Sequence, residues 1–202
     1  MKERPILFSG EMVRAILEGR KTQTRRVLGI QPLDHLTMKV PNEWIVLVSR
    51  NPNHGRVIRC KYGVPGDRLW VRETWGAVSP DEEMRILREC KVEYRADLPD
   101  GSTDQPGGWP ADEARGDDDA PKWKPSIHMP RWASRITLEI VHVHVEKLQE
   151  ISQYDVYSEG IFPQPSLDGK LGFVVLWNSI NAKRGFGWDV NPWVWVITFK
   201  VV

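Results

Sequence analysis

Apolar residues change their spacing several times along this chain, and each change marks an element. Val13, Ile16 and Leu17 recur at helical spacing behind Ser9, which suits an N-cap, with Glu11 in the first turn. Gly19 follows, placed to end that helix in a left-handed conformation. Beyond it the β-branched Thr22 and Thr24 predict extended chain, with Thr22, Thr24 and Arg26 on one face and Gln23 and Arg25 on the other. Arg68 to Trp75 reads as a strand with Leu69 and Val71 on one side and Trp70, Arg72 and Thr74 on the other. Glu73 then falls on the apolar side, where a carboxylate either lies beyond the buried part of the strand or is paired with a cation such as Arg26 or Arg72.

The longest alternation runs from Ser134 to Lys147. Ile136, Leu138 and Ile140 keep one parity and Val141, Val143 and Val145 the other, so a β-bulge or barrel corner is predicted at Ile140-Val141. Ser152 and Asp155 form a capping-box start, and Gly160 stops a short helix carrying Glu159 in its last turn. An acid there opposes the helix dipole, so it is either tolerated at the surface or paired with a cation from elsewhere. A second helix points Phe173, Leu176, Trp177 and Ile180 at the core, and a strand from Trp193 to Val202 closes the chain. Between these elements, residues 31 to 55 read as an insertion with a hairpin containing a strand at Trp44–Ser49. Residues 81 to 90 predict a short helix, Cys90 to Ala96 a strand, and residues 97 to 124 a long polar loop. Strands dominate and helices cluster near the ends, which predicts an α+β fold: a small mixed or antiparallel barrel with helices packed at its openings.

Length and charge refine this picture. The 202 residues suit one domain, residues 1 to 202, with insertions at about 31–55 and 97–124. The net charge of +1 hides a division: residues 97 to 120 hold eight acids against Arg115 alone, a net −7, leaving +8 elsewhere. A basic body thus carries an acidic flap, which would repel polyanions if it lay near a binding cleft. With two cysteines, Cys60 and Cys90, there is neither a disulfide framework nor a CxxC metal pattern. His142 and His144 form an H-x-H pair without a third ligand nearby in sequence, so no metal and no cofactor are expected. No signal peptide and no apolar run of the ~20 residues a bilayer span needs are evident, so the expectation is a cytoplasmic protein without membrane contact.

The candidate chemistry concentrates in Gly19-Arg20-Lys21-Thr22-Gln23-Thr24-Arg25-Arg26, where four cations and two hydroxyls sit directly behind a helix. Such a run serves equally as a solvated basic face or as a site for an anionic or nucleic-acid-like ligand. A lysine among arginines is pressed toward its neutral form, and a neutral amine can activate an adjacent hydroxyl. Arg20, Arg25, Arg26 and Arg72 are candidate contacts to the ligand, with Trp75 or Trp188 available to stack on bases.

The combination of Gly19-Arg20-Lys21-Thr22-x-Thr24-x-Arg26, Gly66-Asp67-x-Leu69-x-Val71, the helix ending in Glu159-Gly160 and the aromatic last strand resembles the ASCH domain family. Lys124 to Arg135 and Asn191 to Val196 look like the ASCH proteins of phages and prophages. The resemblance covers most of the chain outside the two insertions, and it implies a PUA-like β-barrel and a nucleoside or RNA partner. One small bacterial member of the family removes the acetyl group from acetylated cytidine with a Thr, a Lys and a Glu. The resemblance carries the Lys role to Lys21, the nucleophilic Thr role to Thr24 and, by position, the Glu role to Glu159. Arg26 or a backbone N–H in the turn would stabilise the oxyanion. The chain is about twice as long as that member, so the substrate does not transfer with the motif. The alternatives are a non-catalytic RNA-binding module and, third, a ribonuclease.

Overall fold

Ten strands and three α-helices make up the described chain: β1 (Glu3–Leu7), α1 (Gly10–Leu17), β2 (Gln23–Val27), β3 (Leu36–Val40), β4 (Glu43–Leu47), β5 (Gly55–Ile58), β6 (Arg68–Arg72), β7 (Trp75–Val78), β8 (Lys91–Tyr94), β9 (Thr137–Lys147), α2 (Gln153–Ser158), α3 (Gly169–Asn181) and β10 (Trp193–Val201). The structure, a computed structural model, describes all residues except 32–35, 41–42, 48–54, 80–88, 116–119 and 163–167, and only the backbone of 36–40, 43–47 and 55–56. The helix expected over residues 81 to 90 lies, through residue 88, outside the described residues. No described helix is long and apolar enough to cross a membrane.

The fold is mixed α+β, built on a five-stranded sheet of order β1-β6-β9-β10-β2. Within it β1 and β6 are parallel and the remaining pairs antiparallel. The predicted insertion forms its own three-stranded sheet, β3-β4-β5, and β7 pairs with β8. The strand expected from Arg68 to Trp75 therefore ends at Arg72, and Trp75 opens a different sheet.

In place of the expected closed barrel, no ladder joins the edge strands β1 and β2 among the described residues. The sheet is nevertheless strongly curled. Four strand spacings would hold the edges of a flat sheet roughly 19 Å apart, yet Arg26 on β2 donates from Nη2 to the Leu7 carbonyl of β1 at 2.6 Å. Phe8, just beyond β1, packs on Phe199 of β10 with ring centroids 6.2 Å apart. Inside the curl lies the main core, which includes Ile6, Ile16, Leu69, Leu138 and Ile197. Val194 and Val196, on the other face of β10, pack with Phe173 and Trp177 of α3 in a second core, so this strand is buried on both sides.

The phase change in β9 is a bulge, as the alternation predicts. The register to β10 shifts between Thr198↔His142 and Phe199↔Ile140, so Val141 has no opposite residue. Leu138, Ile140 and Val143 are buried while Val141, expected on the buried parity, is 50% exposed. The extra residue lets Ile140 and Val143, of opposite parity, reach one core.

Glu73 lies on the apolar face and is 1% exposed, and its partner is neither Arg26 nor Arg72. Arg135 grips it with two hydrogen bonds, Nε to Oε1 at 3.1 Å and Nη2 to Oε2 at 3.0 Å. The same guanidinium binds Asp97 and sits 3.9 Å from the Tyr94 ring centroid. Burial raises the Glu73 carboxyl above its usual range, against the pull of Arg135.

The described residues of the acidic stretch have little regular structure, as expected, yet they are packed rather than loose. Pro106, Ala114 and Ala120 are buried, and Pro106 fills the space where Gly76 has no side chain. Asp97 and Asp100 are ion-paired to Arg135 and Arg14, and the Trp123 indole N–H donates to the Asp104 carbonyl.

Replacing Arg135 by Met strands a buried carboxylate, which costs about 3–5 kcal/mol at neutral pH. A carboxyl whose pKa is raised by folding stabilises the fold as pH falls through that raised value toward the unfolded one. The deficit of Arg135→Met relative to wild type therefore narrows on acidification toward about pH 4.5. Urea titrations at pH 7 and pH 5 check this; an unchanged deficit contradicts the assignment to Glu73.

Candidate functional site

Two helix exits meet at the edge of the sheet, and both are made by glycine. Gly19, with φ 72°, turns the chain after α1 so that the Arg20 and Lys21 amides both bond to the Ala15 carbonyl at 2.9 Å. The start of α2 is a complete capping box, in which Ser152 Oγ accepts from the Asp155 amide and Asp155 accepts from the Ser152 amide, each at 3.1 Å. The helix ends at Gly160, with φ 86°. Lys21 and Glu159 then pair as an isolated antiparallel bridge, next to a bond from the Thr22 amide to the Ser158 carbonyl at 2.8 Å.

This pairing buries an ionic contact. Lys21 Nζ donates to Glu159 Oε2 at 2.6 Å and to the Glu159 carbonyl at 2.9 Å. Their side chains are 0% and 6% exposed. The acid that opposes the dipole of α2 is thus met by the cation it needs, and that cation also satisfies a carbonyl at the helix end. Burial pushes the Lys21 ammonium below the usual lysine range; the Glu159 charge and hydrogen bond pull it back, while Arg26 and Arg25 press it further down.

Arg25 holds the other side of Glu159. From β2 it donates to Glu159 Oε1 at 3.2 Å, to Gln23 Oε1 at 2.6 Å and to Glu146 Oε1 at 2.8 Å. Asp155 lies 3.5 Å away. Burial tends to raise the Glu146 carboxyl, but the His144 hydrogen bond and the Arg25 guanidinium outweigh it and hold the group below its usual range. The capping acid of α2, the end of α2 and strands β2 and β9 are therefore tied through one guanidinium.

Thr24 and Arg26 share the opposite face of β2 from Gln23 and Arg25, as the alternation predicts, opposite Ile197 and Trp195 of β10. Phe8 lies between the cations: Lys21 Nζ is 5.7 Å and the Arg26 guanidinium 5.1 Å from its ring centroid. Thr24, Arg25, Arg26 and Glu159 line a cleft of about 220 Å³ along the β2 edge. Its far wall is α3, and Leu7, Met12, Lys61 and Tyr62 complete the near side. Two of the three residues proposed for chemistry line this cleft, and Lys21 lies buried behind Glu159.

The remaining candidates divide. Arg20 is turned outward, bonded to the Glu18 carboxylate and, at 3.3 Å, to the Gly160 carbonyl. Arg72 donates to the Met129 carbonyl and stacks on Trp70, and it is not part of the cleft lining. Trp75 is 2% exposed in a separate cluster with Met129 and Ala133, so it is not a free stacking surface. Trp188 packs edge-on against Phe173. His142 and His144 bring their Nδ1 atoms within 3.3 Å, on the face of β9 opposite the one whose partners across β10 include Thr24 and Arg26. No three metal-binding side chains converge among the described residues.

Several cleft residues escaped the sequence reading. Leu176 is half-buried and Ile180 is 44% exposed, so two positions expected to face the core form cleft wall instead, while Phe173 and Trp177 are buried as expected. Lys61, Tyr62, Asn181 and Arg184 enter from two loops and a helix end far apart in sequence, with no local pattern to join them. No family model, curated protein or solved structure matches this chain.

The two glycines make different demands. Both have positive φ, and an L-residue there costs about 1–2 kcal/mol. A Cβ on Gly19 meets nothing within 4 Å, whereas one on Gly160 lies 3.0 Å from the Cβ atoms of both Ala15 and Lys21. Gly160→Ala is therefore expected to lose clearly more stability in urea than Gly19→Ala. Equal losses contradict close packing of the two helix exits.

Proposed function

We propose that this chain is an ASCH-type protein whose cleft binds a nucleoside and hydrolyses an acylated exocyclic amine on its base. The observation that carries the reading is the buried Lys21–Glu159 pair placed behind a small cleft whose wall includes Thr24. A hydroxyl is a weak nucleophile at neutral pH and needs a base, and burial that lowers proton affinity supplies a lysine suited to that role. The curled sheet with Arg26 in its seam is also what a PUA-like barrel, opened between β1 and β2, would present.

In the proposed sequence, Lys21 first yields a proton to the Glu159 carboxylate, and Thr24 Oγ1 then forms a bond to the amide carbonyl carbon as its own proton passes to the Lys21 amine. The carbonyl oxygen becomes an oxyanion beside the Arg26 guanidinium. The C–N bond then breaks, and the departing amine takes the proton from Lys21. Water attacks the acyl-threonine ester, gives a proton through Lys21 to Thr24 Oγ1, and releases the carboxylic acid. Glu159 positions Lys21 throughout, and Arg25 positions Glu159.

The cleft volume favours a single nucleoside over a length of RNA, and the burial of Trp75 removes one platform on which an RNA-binding module would stack bases. A ribonuclease finds no histidine among the described residues lining the cleft.

Incubation with N4-acetylcytidine, followed by chromatography, is expected to release cytidine and acetate. Thr24→Ala and Lys21→Met each lower kcat at least a hundredfold while circular dichroism remains native, since a general base alone contributes about 10²–10⁴. Wild-type protein that leaves acetylcytidine intact, or a Thr24→Ala variant that retains full turnover, overturns the amidohydrolase reading.

A further inference from the structure

The charges around the cleft fall into two groups. Deep in the site, Lys21 is paired with Glu159, and Arg25 with Glu146, Glu159 and Asp155. Nearer the mouth stand Arg26, Lys61 and Arg184, and none of these forms a salt bridge with a carboxylate among the described residues. Among the described residues the only carboxylate in the cleft lining is Glu159, which is already bound by two cations.

Among the described residues the mouth cations contact neutral groups. Arg184 donates to Asn181 Oδ1 at 3.3 Å, and Asn181, itself buried, donates to the Trp177 carbonyl at 3.2 Å. Lys61 Nζ lies 5.1 Å from the Tyr62 ring centroid. Arg26 bonds the Leu7 carbonyl through Nη2, but its Nε is buried with no hydrogen-bond partner among the described residues. An unmet buried donor costs free energy, and here it belongs to a cation that lines a cleft. Burial depresses the Arg26 guanidinium below its usual range; Tyr62 and Glu159 act against this, and Arg184 adds like-charge repulsion. An anion at the mouth would relieve that repulsion and supply acceptors to several donors at once.

We propose that Arg26, Lys61 and Arg184 form a phosphate-monoester site at the mouth of the cleft, so that its preferred ligand is a mononucleotide rather than a free nucleoside. This rests on the nucleoside reading of the cleft, but not on hydrolysis. The apolar wall from α3, with Leu176 and Ile180 half-buried or exposed, takes the base and sugar, and the cationic mouth takes the phosphate. A phosphate at neutral pH carries close to two negative charges and three acceptor oxygens. Three cations without a carboxylate among them suit that group better than they suit a neutral ligand.

Calorimetric titration of the full chain with each of the four ribonucleoside 5′-monophosphates and its matching nucleoside tests the proposal. For at least one base, the monophosphate is expected to bind about tenfold or more tighter than the nucleoside, with inorganic phosphate competing. Lys61→Gln and Arg184→Gln are each expected to reduce that preference severalfold, and raising the salt from 50 to 200 mM reduces it further. Equal affinities for monophosphate and nucleoside, or no binding of either, overturn the proposal. So does tight binding of a short RNA by a protein that does not bind the mononucleotides, which would mark the mouth as part of a polyanion surface. A protein that binds mononucleotides without deacylating acetylcytidine retains the phosphate site and loses the amidohydrolase reading. One that deacylates acetylcytidine but binds nucleoside and monophosphate equally does the reverse.

Discussion

The Glu159 carboxylate is the point at which three separate parts of the chain are fastened. One oxygen takes Lys21 from the exit of α1, and the other takes Arg25 from β2, while the residue itself ends α2. Burying two cations is costly, and only closely matched partners repay it. The network therefore extends to Glu146 and Asp155, which compensate Arg25. Removing the carboxylate would leave a fully buried ammonium beside a guanidinium, so positions of α1, α2 and the sheet edge depend on one another through this group. The cleft inherits that rigidity, because Thr24, Arg25 and Arg26 are consecutive on the strand so fastened.

Features set by local physics were legible in the sequence. Gly19 and Gly160 end their helices in the left-handed region because no other residue does so without cost, and the Ser152–Asp155 box marks a helix start by itself. The phase change at Ile140-Val141 identified the bulge, and the alternation in β2 placed Thr24 and Arg26 on one face and Gln23 and Arg25 on the other. An acid at a helix C-terminus is locally unfavourable and left Glu159 either at the surface or paired; that Lys21 is its partner was implied by the family resemblance and not by the local pattern.

What sequence did not disclose depends on closure in three dimensions. Glu73 needed a cation, but its choice of Arg135 is set by how β6 and the segment before β9 come together. Helical spacing marks Phe173, Leu176, Trp177 and Ile180 as one stripe, yet it cannot say that all four border a cleft, with only Phe173 and Trp177 buried in a core behind it. Trp75 looked like an extension of β6, whereas the chain leaves that strand after Arg72 and carries the indole into a separate cluster. The acidic stretch reads as a loop by composition, while its ion pairs to Arg14 and Arg135 arise from neighbours far away in sequence.

The gap between β1 and β2 has a further consequence, for behaviour at high concentration. An open sheet presents two rows of unpaired backbone groups, each a template on which a strand from another molecule can polymerise. Here the curl turns the two edges toward one another, and the Arg26 guanidinium occupies the Leu7 carbonyl that a foreign amide would otherwise seek. Pro5 lacks an amide hydrogen on β1, and the Lys21–Glu159 bridge covers the start of β2. An intruding strand would have to displace a charged side chain from a narrow seam and leave that charge without its acceptor. The cation at the rim of the cleft thus also guards the sheet against adding strands from its neighbours in solution.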